Sequence, residues 1–213
     1  MIRRLLLVLL YPLLGRVFLG LVVGVRCTGR KSLRQHRQFV LAGNHNSHLD
    51  SVALLAYMPL GMAGQVHPVA AADYFGGNGL KSRLYQWLVN VVLISREAGR
   101  REETIGRMIQ LLDQGKSLIM FPEGSRGEAD VMQSFKKGIG YLAAARPQVP
   151  VIPVYIDGFG KILPKGEKLL LPMPARVYIG EPVRLSSTDP AGITREIEAA
   201  VIALKPAAAG GAA

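Results

Sequence analysis

Cysteine is nearly absent from this 213-residue chain, which carries only Cys27. One thiol excludes an internal disulfide and a cysteine-based zinc cluster within a single chain. Acidic residues are also scarce: 15 stand against 26 Lys and Arg, and none occurs before Asp50. The formal charge of +11 calls for an anionic partner, for which nucleic acid, anionic lipid and phosphorylated substrates all qualify. There is no Gly-x4-Gly-Lys-Ser/Thr phosphate loop and no long-period repeat. The chain also lacks an unbroken apolar opening of about 20 residues, the length a spanning helix needs. Arg16 divides Leu5–Gly15 from Val17–Val25, and Pro12, Gly15, Gly20 and Gly24 weaken a single rod.

What stands in that opening segment is apolar surface flanked by cations: Arg3, Arg4, Arg16, Arg26, Arg30, Lys31, Arg34 and Arg37. This arrangement suits a headgroup layer, with the apolar face dipping in and the cations meeting lipid phosphates. A nucleic-acid arm would be hydrophilic with interleaved aromatics, so the expected partner is a membrane surface of anionic lipids and not nucleic acid. We expect a two-piece interfacial or re-entrant anchor. The alternatives are a tilted span with a snorkelling Arg16 and a signal peptide, although no small-residue cleavage site follows. A lone cysteine fits a reducing compartment, which puts the expected location at the membrane on its cytoplasmic face.

Beyond the anchor, strand and helix patterns alternate. Gln38–Ala42, Val66–Ala72, Val89–Ser95, Ser117–Phe121, Pro150–Ile156 and Ala175–Ile179 read as strands. Leu49–Tyr57, Leu80–Leu88, Glu102–Gln114, Phe135–Ala145 and Ile193–Leu204 read as helices. Gly158–Pro174 reads as a long loop or hairpin. Such alternation predicts an α/β fold with a largely parallel central sheet flanked by helices, preceded by an N-terminal helical membrane anchor. The expected division is a membrane-associating helical segment at residues 1–30, an α/β domain at 31–205 and a disordered tail at 206–213.

Two loops carry candidate chemistry, each at the end of an apolar strand, where ligands bind in α/β sheets. In Gly43-Asn44-His45-Asn46-Ser47-His48-Leu49-Asp50, a loop His45 and an Asp50 in the first helical turn can meet when the chain folds back. The carboxylate would then orient the imidazole as a general base. Ser47-His48-Leu49-Asp50 equally matches a helix capping box, and His45, His48 and Asp50 together could hold a metal. In Phe121-Pro122-Glu123-Gly124-Ser125-Arg126-Gly127, two glycines permit tight turns and Arg126 offers a donor fork suited to phosphate. Glu123 occupies the first position of what would be a Gly-x-Ser-x-Gly elbow, which argues against Ser125 as a covalent nucleophile. Arg96 ends an apolar run and could bind an anion. Lys136 and Lys137 add positive potential or form a wet helix face.

Taken together these blocks resemble the glycerolipid acyltransferase family, which includes the lysophosphatidic acid acyltransferases. His45-Asn46-Ser47-His48-Leu49-Asp50 matches its His-x4-Asp block and Arg96 the arginine closing the second. Phe121-Pro122-Glu123-Gly124-Ser125-Arg126 matches the third block, and Val149-Pro150-Val151-Ile152-Pro153-Val154 the fourth. The resemblance implies an O-acyltransferase with His45 as base and Asp50 as its partner. It implies that Arg96, Glu123, Gly124, Ser125 and Arg126 bind a phosphorylated lysophospholipid, most directly 1-acylglycerol-3-phosphate, giving phosphatidic acid. Acyl-CoA or acyl carrier protein would be the donor, and neither a metal nor a cofactor is called for. Two places depart from the pattern. Asn90 stands where many members have glycine, and Ala72-Asp73-Tyr74-Phe75 replaces a stretch that often contains lysine. The rival readings are an acyltransferase for another lysolipid or polar lipid, a lipid hydrolase using water, and a non-catalytic basic membrane-binding protein.

Overall fold

The structure, a computed structural model, describes residues 2–71, 86–94, 98–127, 131–162, 171 and 173–206. Its strands are β1 (Val25–Thr28), β2 (Val40–Gly43), β3 (Val66–Ala71), β4 (Val92–Ile94), β5 (Ser117–Met120), β6 (Val151–Asp157) and β7 (Ala175–Ile179). They form one sheet in the order β1-β7-β6-β2-β5-β3-β4. The block β6-β2-β5-β3-β4 is parallel throughout, whereas β7 pairs antiparallel with β6 and carries β1 parallel to itself. Fully parallel strands are covered on both faces, which explains why β2 and β5 are buried at every residue and read as continuous apolar runs.

The helices are α1 (Ile2–Val23), α2 (Lys31–Gln35), α3 (Leu49–Tyr57), α4 (Arg101–Asp113), α5 (Gly138–Ala145), α6 (Phe159–Ile162) and α7 (Pro190–Ala203). Strand alternation sorts them into two layers. Leu41, Ile119, Ile152 and Val154 point to the face covered by α1 and α3. Val40, Ala42, Leu118, Met120 and Val151 point to the face covered by α4, α5 and α7, where Met108, Leu112, Ile139, Leu142, Ile193 and Ile197 complete the core. Helix α4 begins with Glu102 and Glu103 in its first turn, where the helix dipole favours acidic side chains.

The N-terminal segment differs from the two-piece anchor expected of it. It is one continuous helix, ended by Gly24 in the left-handed region at φ 82°. Leu7, Tyr11, Leu19 and Val23 are buried at four-residue spacing, with Gly15 against Ala56 completing the stripe. An ordinary α-helix would rotate such a stripe by about 40° at each step. Leu9–Gly15 and Leu19–Val23 instead adopt the wider i→i+5 winding, which holds the stripe on one face and accommodates Pro12. Arg16 belongs to the fold: Nε and Nη2 donate to the Ala56 carbonyl at 3.1 and 3.0 Å, and Nη2 to that of Met58 at 3.1 Å. Arg30 Nε does the same for Tyr57 O at 3.2 Å, so these cations satisfy the orphan carbonyls at the end of α3.

Strand β1 takes the sheet's first residues from the segment 1–30 that the sequence assigned to helix. The short α6 opens the stretch read as loop or hairpin, of which residues 163–170 and 172 lie outside the described residues. Of the expected helix Leu80–Leu88, residues 86–88 are described and helical, and the helix runs on to Val89, which the sequence assigned to the following strand.

Candidate active site

Adjacent parallel strands end on the same side, and β2 and β5 are adjacent, with Ala42 opposite Met120. Both loops singled out in the sequence therefore leave the carboxyl edge of the sheet side by side. The first is anchored by Asn44. Its Oδ1 accepts from Ile156 N–H at 2.7 Å, and its Nδ2 donates to Ile156 O at 2.8 Å and to Asn46 Oδ1 at 3.0 Å. These bonds tie the end of β2 to β6, which is the fourth block.

The loop then folds back as the spacing suggested. His45 Nδ1 lies 2.9 Å from Asp50 Oδ2, and the same oxygen accepts the backbone N–H of Asn46 at 2.8 Å and of Ser47 at 2.9 Å. Helix capping and imidazole orientation, alternatives in the sequence, are here performed by one atom. The Asp50 side chain is fully buried and the His45 side chain is 20% exposed, and Nε2 is the ring nitrogen that Asp50 does not engage. The ring lies flat on Phe121, with centroids 4.1 Å apart and planes 12° from parallel.

The third block supports this loop from below. Glu123 Oε1 accepts the His45 backbone N–H at 2.9 Å, and Gly127 N–H donates to His45 O at 3.1 Å. Glu123 is 1% exposed and faces the His45 backbone. Gly124 sits at φ 79°, a conformation glycine adopts without strain, and Ser125 is exposed. Arg126 Nη1 donates to His48 Nε2. Burial and that guanidinium push His48 down to about 4, which keeps its ring neutral and able to accept. His48 thus faces Arg126 rather than sharing a metal with His45 and Asp50.

Burial pushes the Glu123 carboxyl up to about 7 from the ordinary 4.5, against the pull of the His45 and Gln133 backbone N–H groups. The folded chain therefore holds this proton more tightly than the unfolded chain does. Stability from Glu123 is complete below about pH 4.5 and is lost as pH rises towards 7. Glu123→Gln is expected to flatten that part of the stability profile, as read from denaturation midpoints between those two pH values. An unchanged slope would place the Glu123 proton elsewhere.

Arg96 lies outside the described residues, as does the stretch 72–75. Asn90 does not, and its departure from glycine has a backbone explanation. At φ 57° it holds a left-handed conformation that asparagine tolerates better than most residues. Its buried side chain donates to Val66 O at 2.9 Å and accepts from Arg3 Nη2 at 2.6 Å, fastening β4's approach to β3 and to α1. This turn also explains why β4 starts at Val92 and not at Val89.

The structure is thus a mostly parallel α/β sheet that presents a His–Asp pair and a Glu-Gly-Ser-Arg turn side by side on its carboxyl edge. The chain belongs to the Acyltransferase family, whose model matches residues 24–157 and so encloses the His-x4-Asp, third and fourth blocks. It is 36% identical over 104 residues to the chloroplastic 1-acyl-sn-glycerol-3-phosphate acyltransferase of Arabidopsis thaliana, covering 48% of this chain and 29% of that one. It is 28% identical over 175 residues to human 1-acyl-sn-glycerol-3-phosphate acyltransferase alpha, covering 80% and 58%. This chain thus spans well under two thirds of either relative. Among solved structures it resembles the 1-acyl-sn-glycerophosphate acyltransferase of Thermotoga maritima, with TM-score 0.68 and 25% identity over 89% of this chain and 74% of that one.

Proposed function

We propose that this protein transfers a fatty-acyl group from acyl-CoA or acyl carrier protein to the free hydroxyl of 1-acylglycerol-3-phosphate, giving phosphatidic acid. The observation that carries the reading is the buried Asp50 carboxylate 2.9 Å from His45 Nδ1. That bond fixes the proton on Nδ1 and leaves Nε2 as the base. The acceptor hydroxyl attacks the thioester carbonyl as Nε2 takes its proton. The new C–O bond forms, the C–S bond breaks, and His45 returns the proton to the departing sulfur. Asp50 stabilises the imidazolium between the two transfers. A thioester is already activated, so no covalent acyl-enzyme is required. The phosphate-bearing acceptor is supported by the relatives named above and by the basic third-block loop. Thiol release from a long-chain acyl-CoA tests this: it is expected to require lysophosphatidate. Release of free fatty acid without acceptor would mark a hydrolase instead.

We infer that the reaction takes place at an anionic membrane surface, on the cytoplasmic face. Helix α1, with 22 residues and mean hydropathy 2.3, is long and apolar enough to cross a bilayer by length and composition. Its inner stripe and the bonds from Arg3, Arg4 and Arg16 nevertheless fasten it along the domain from end to end. Leu5, Leu9, Leu14, Val17, Phe18 and Leu21 remain exposed on the outer side, a face suited to lying in the interface. Deleting the helix would open the core, so the test is substitution. Leu14→Ser, Phe18→Ser and Leu21→Ser combined are expected to weaken flotation with anionic vesicles at least about tenfold, since each buried apolar side chain contributes about 1.5–3 kcal/mol. Unchanged flotation would remove α1 as the docking face.

A further inference from the structure

Of the two lysines after the third block, one touches the site. The Lys136 backbone N–H donates to Pro122 O at 2.9 Å, which brings its side chain back across the loop. A Cβ on Gly124 would lie 2.6 Å from Lys136 Nζ and 3.1 Å from both Cδ and Cε. The ammonium group is thus laid directly over the glycine of the Glu-Gly-Ser-Arg turn, in space that any other residue there would fill. Lys136 is exposed and its amine has no hydrogen-bond or ion-pair partner among the described residues. Its neighbours on the loop are already engaged: Glu123 holds the His45 N–H, and Arg126 donates to His48. The acidic group on the adjoining helix, Glu198, accepts from Phe135 N–H at 3.3 Å.

We propose that Lys136 is a ligand for a phosphate monoester, and specifically for the acceptor's phosphate. This rests on the reading of the site as a lysophosphatidate acyltransferase. In that acceptor the reacting hydroxyl and the phosphate sit on adjacent carbons, so the anion must be met close to the base. Lys136 meets that need, because the loop it crosses stacks Phe121 on the His45 ring and holds the His45 backbone through Glu123. An ammonium at the end of a flexible stem recognises such a group as a point charge. Coenzyme A offers a phosphate monoester too, and the experiment separates the two sources.

The test compares Lys136→Gln with Lys137→Gln, which removes the same charge from the next residue. Lys136→Gln is expected to raise KM for lysophosphatidate about tenfold or more with kcat little changed, as loss of a hydrogen bond between charged groups predicts. Lys137→Gln should stay within about twofold, reflecting only the shared potential. With 1-monoacylglycerol, which lacks the phosphate, both variants should match wild type. Equal effects of the two variants, or a rise in KM for acyl-CoA in place of the acceptor, would overturn the assignment. Calorimetric binding of a short-chain lysophosphatidate to His45→Ala, with and without Lys136→Gln, reads the site without turnover. An inactive wild type whose His45→Ala form still binds in a Lys136-dependent way would sink the proposed reaction and keep the site. Binding indifferent to Lys136 would sink the site itself.

Discussion

In a folded His45→Ala variant, kcat for acceptor-dependent thiol release is expected to fall about 10²–10⁴-fold, the usual contribution of a positioned general base. KM for both substrates should change little, because the imidazole acts on the proton in transit rather than on the bound ground state. The substitution is structurally mild. Asp50 keeps its two backbone N–H donors from Asn46 and Ser47, and Glu123 keeps the backbone N–H of residue 45. What disappears is a partly exposed ring and its stacking on Phe121. Circular dichroism and vesicle flotation should therefore match wild type. A folded variant retaining most of its turnover would exclude His45 as the base, and with it the proposed mechanism.

The contact between His45 and Asp50 was legible in the sequence because it is local. Five residues separate His45 from Asp50, and a strand-to-helix turn is enough to join them. The parallel strands were legible too, since burial on both faces writes an apolar run that needs no knowledge of neighbours. What depended on distant partners was not. Strand β1 is four residues at the sheet's edge, with Arg26 and Thr28 exposed, and in the sequence it vanishes into the basic N-terminal segment. The reversal at β7 leaves no trace in its own residues, because direction belongs to the pairing with β6. Arg16 read as a lipid-facing cation, yet its partners are carbonyls forty residues away. Glu123 read as a possible substrate contact. Only the adjacency of β2 and β5 aims it at the His45 backbone. The second-block turn had a signal that was visible but unread, since asparagine in place of glycine is itself a mark of left-handed backbone.

Asp50→Asn is expected to lower kcat about 10²-fold, less than loss of the base and less than the roughly 10⁴-fold that follows when an amide turns the histidine into the wrong tautomer. The reason lies in three donors converging on Asp50 Oδ2: His45 Nδ1–H, Asn46 N–H and Ser47 N–H. Two of them are backbone groups that cannot reverse, so the asparagine must turn its amide oxygen towards the loop. The Nδ1–H tautomer and the loop geometry then survive. The amide NH2 takes the place of Oδ1, a buried atom with no hydrogen-bond partner among the described residues, at a cost of about 1–3 kcal/mol in stability. Catalysis loses the negative charge that stabilises the imidazolium while it carries the proton. In a His45→Ala background that charge has nothing to stabilise, so adding Asp50→Asn should leave the residual rate unchanged, a strong departure from additivity. Full activity in the single variant would reduce Asp50 to a helix cap. Inactivity equal to that of His45→Ala would show that the amide has turned, and that the backbone donors do not dictate its orientation.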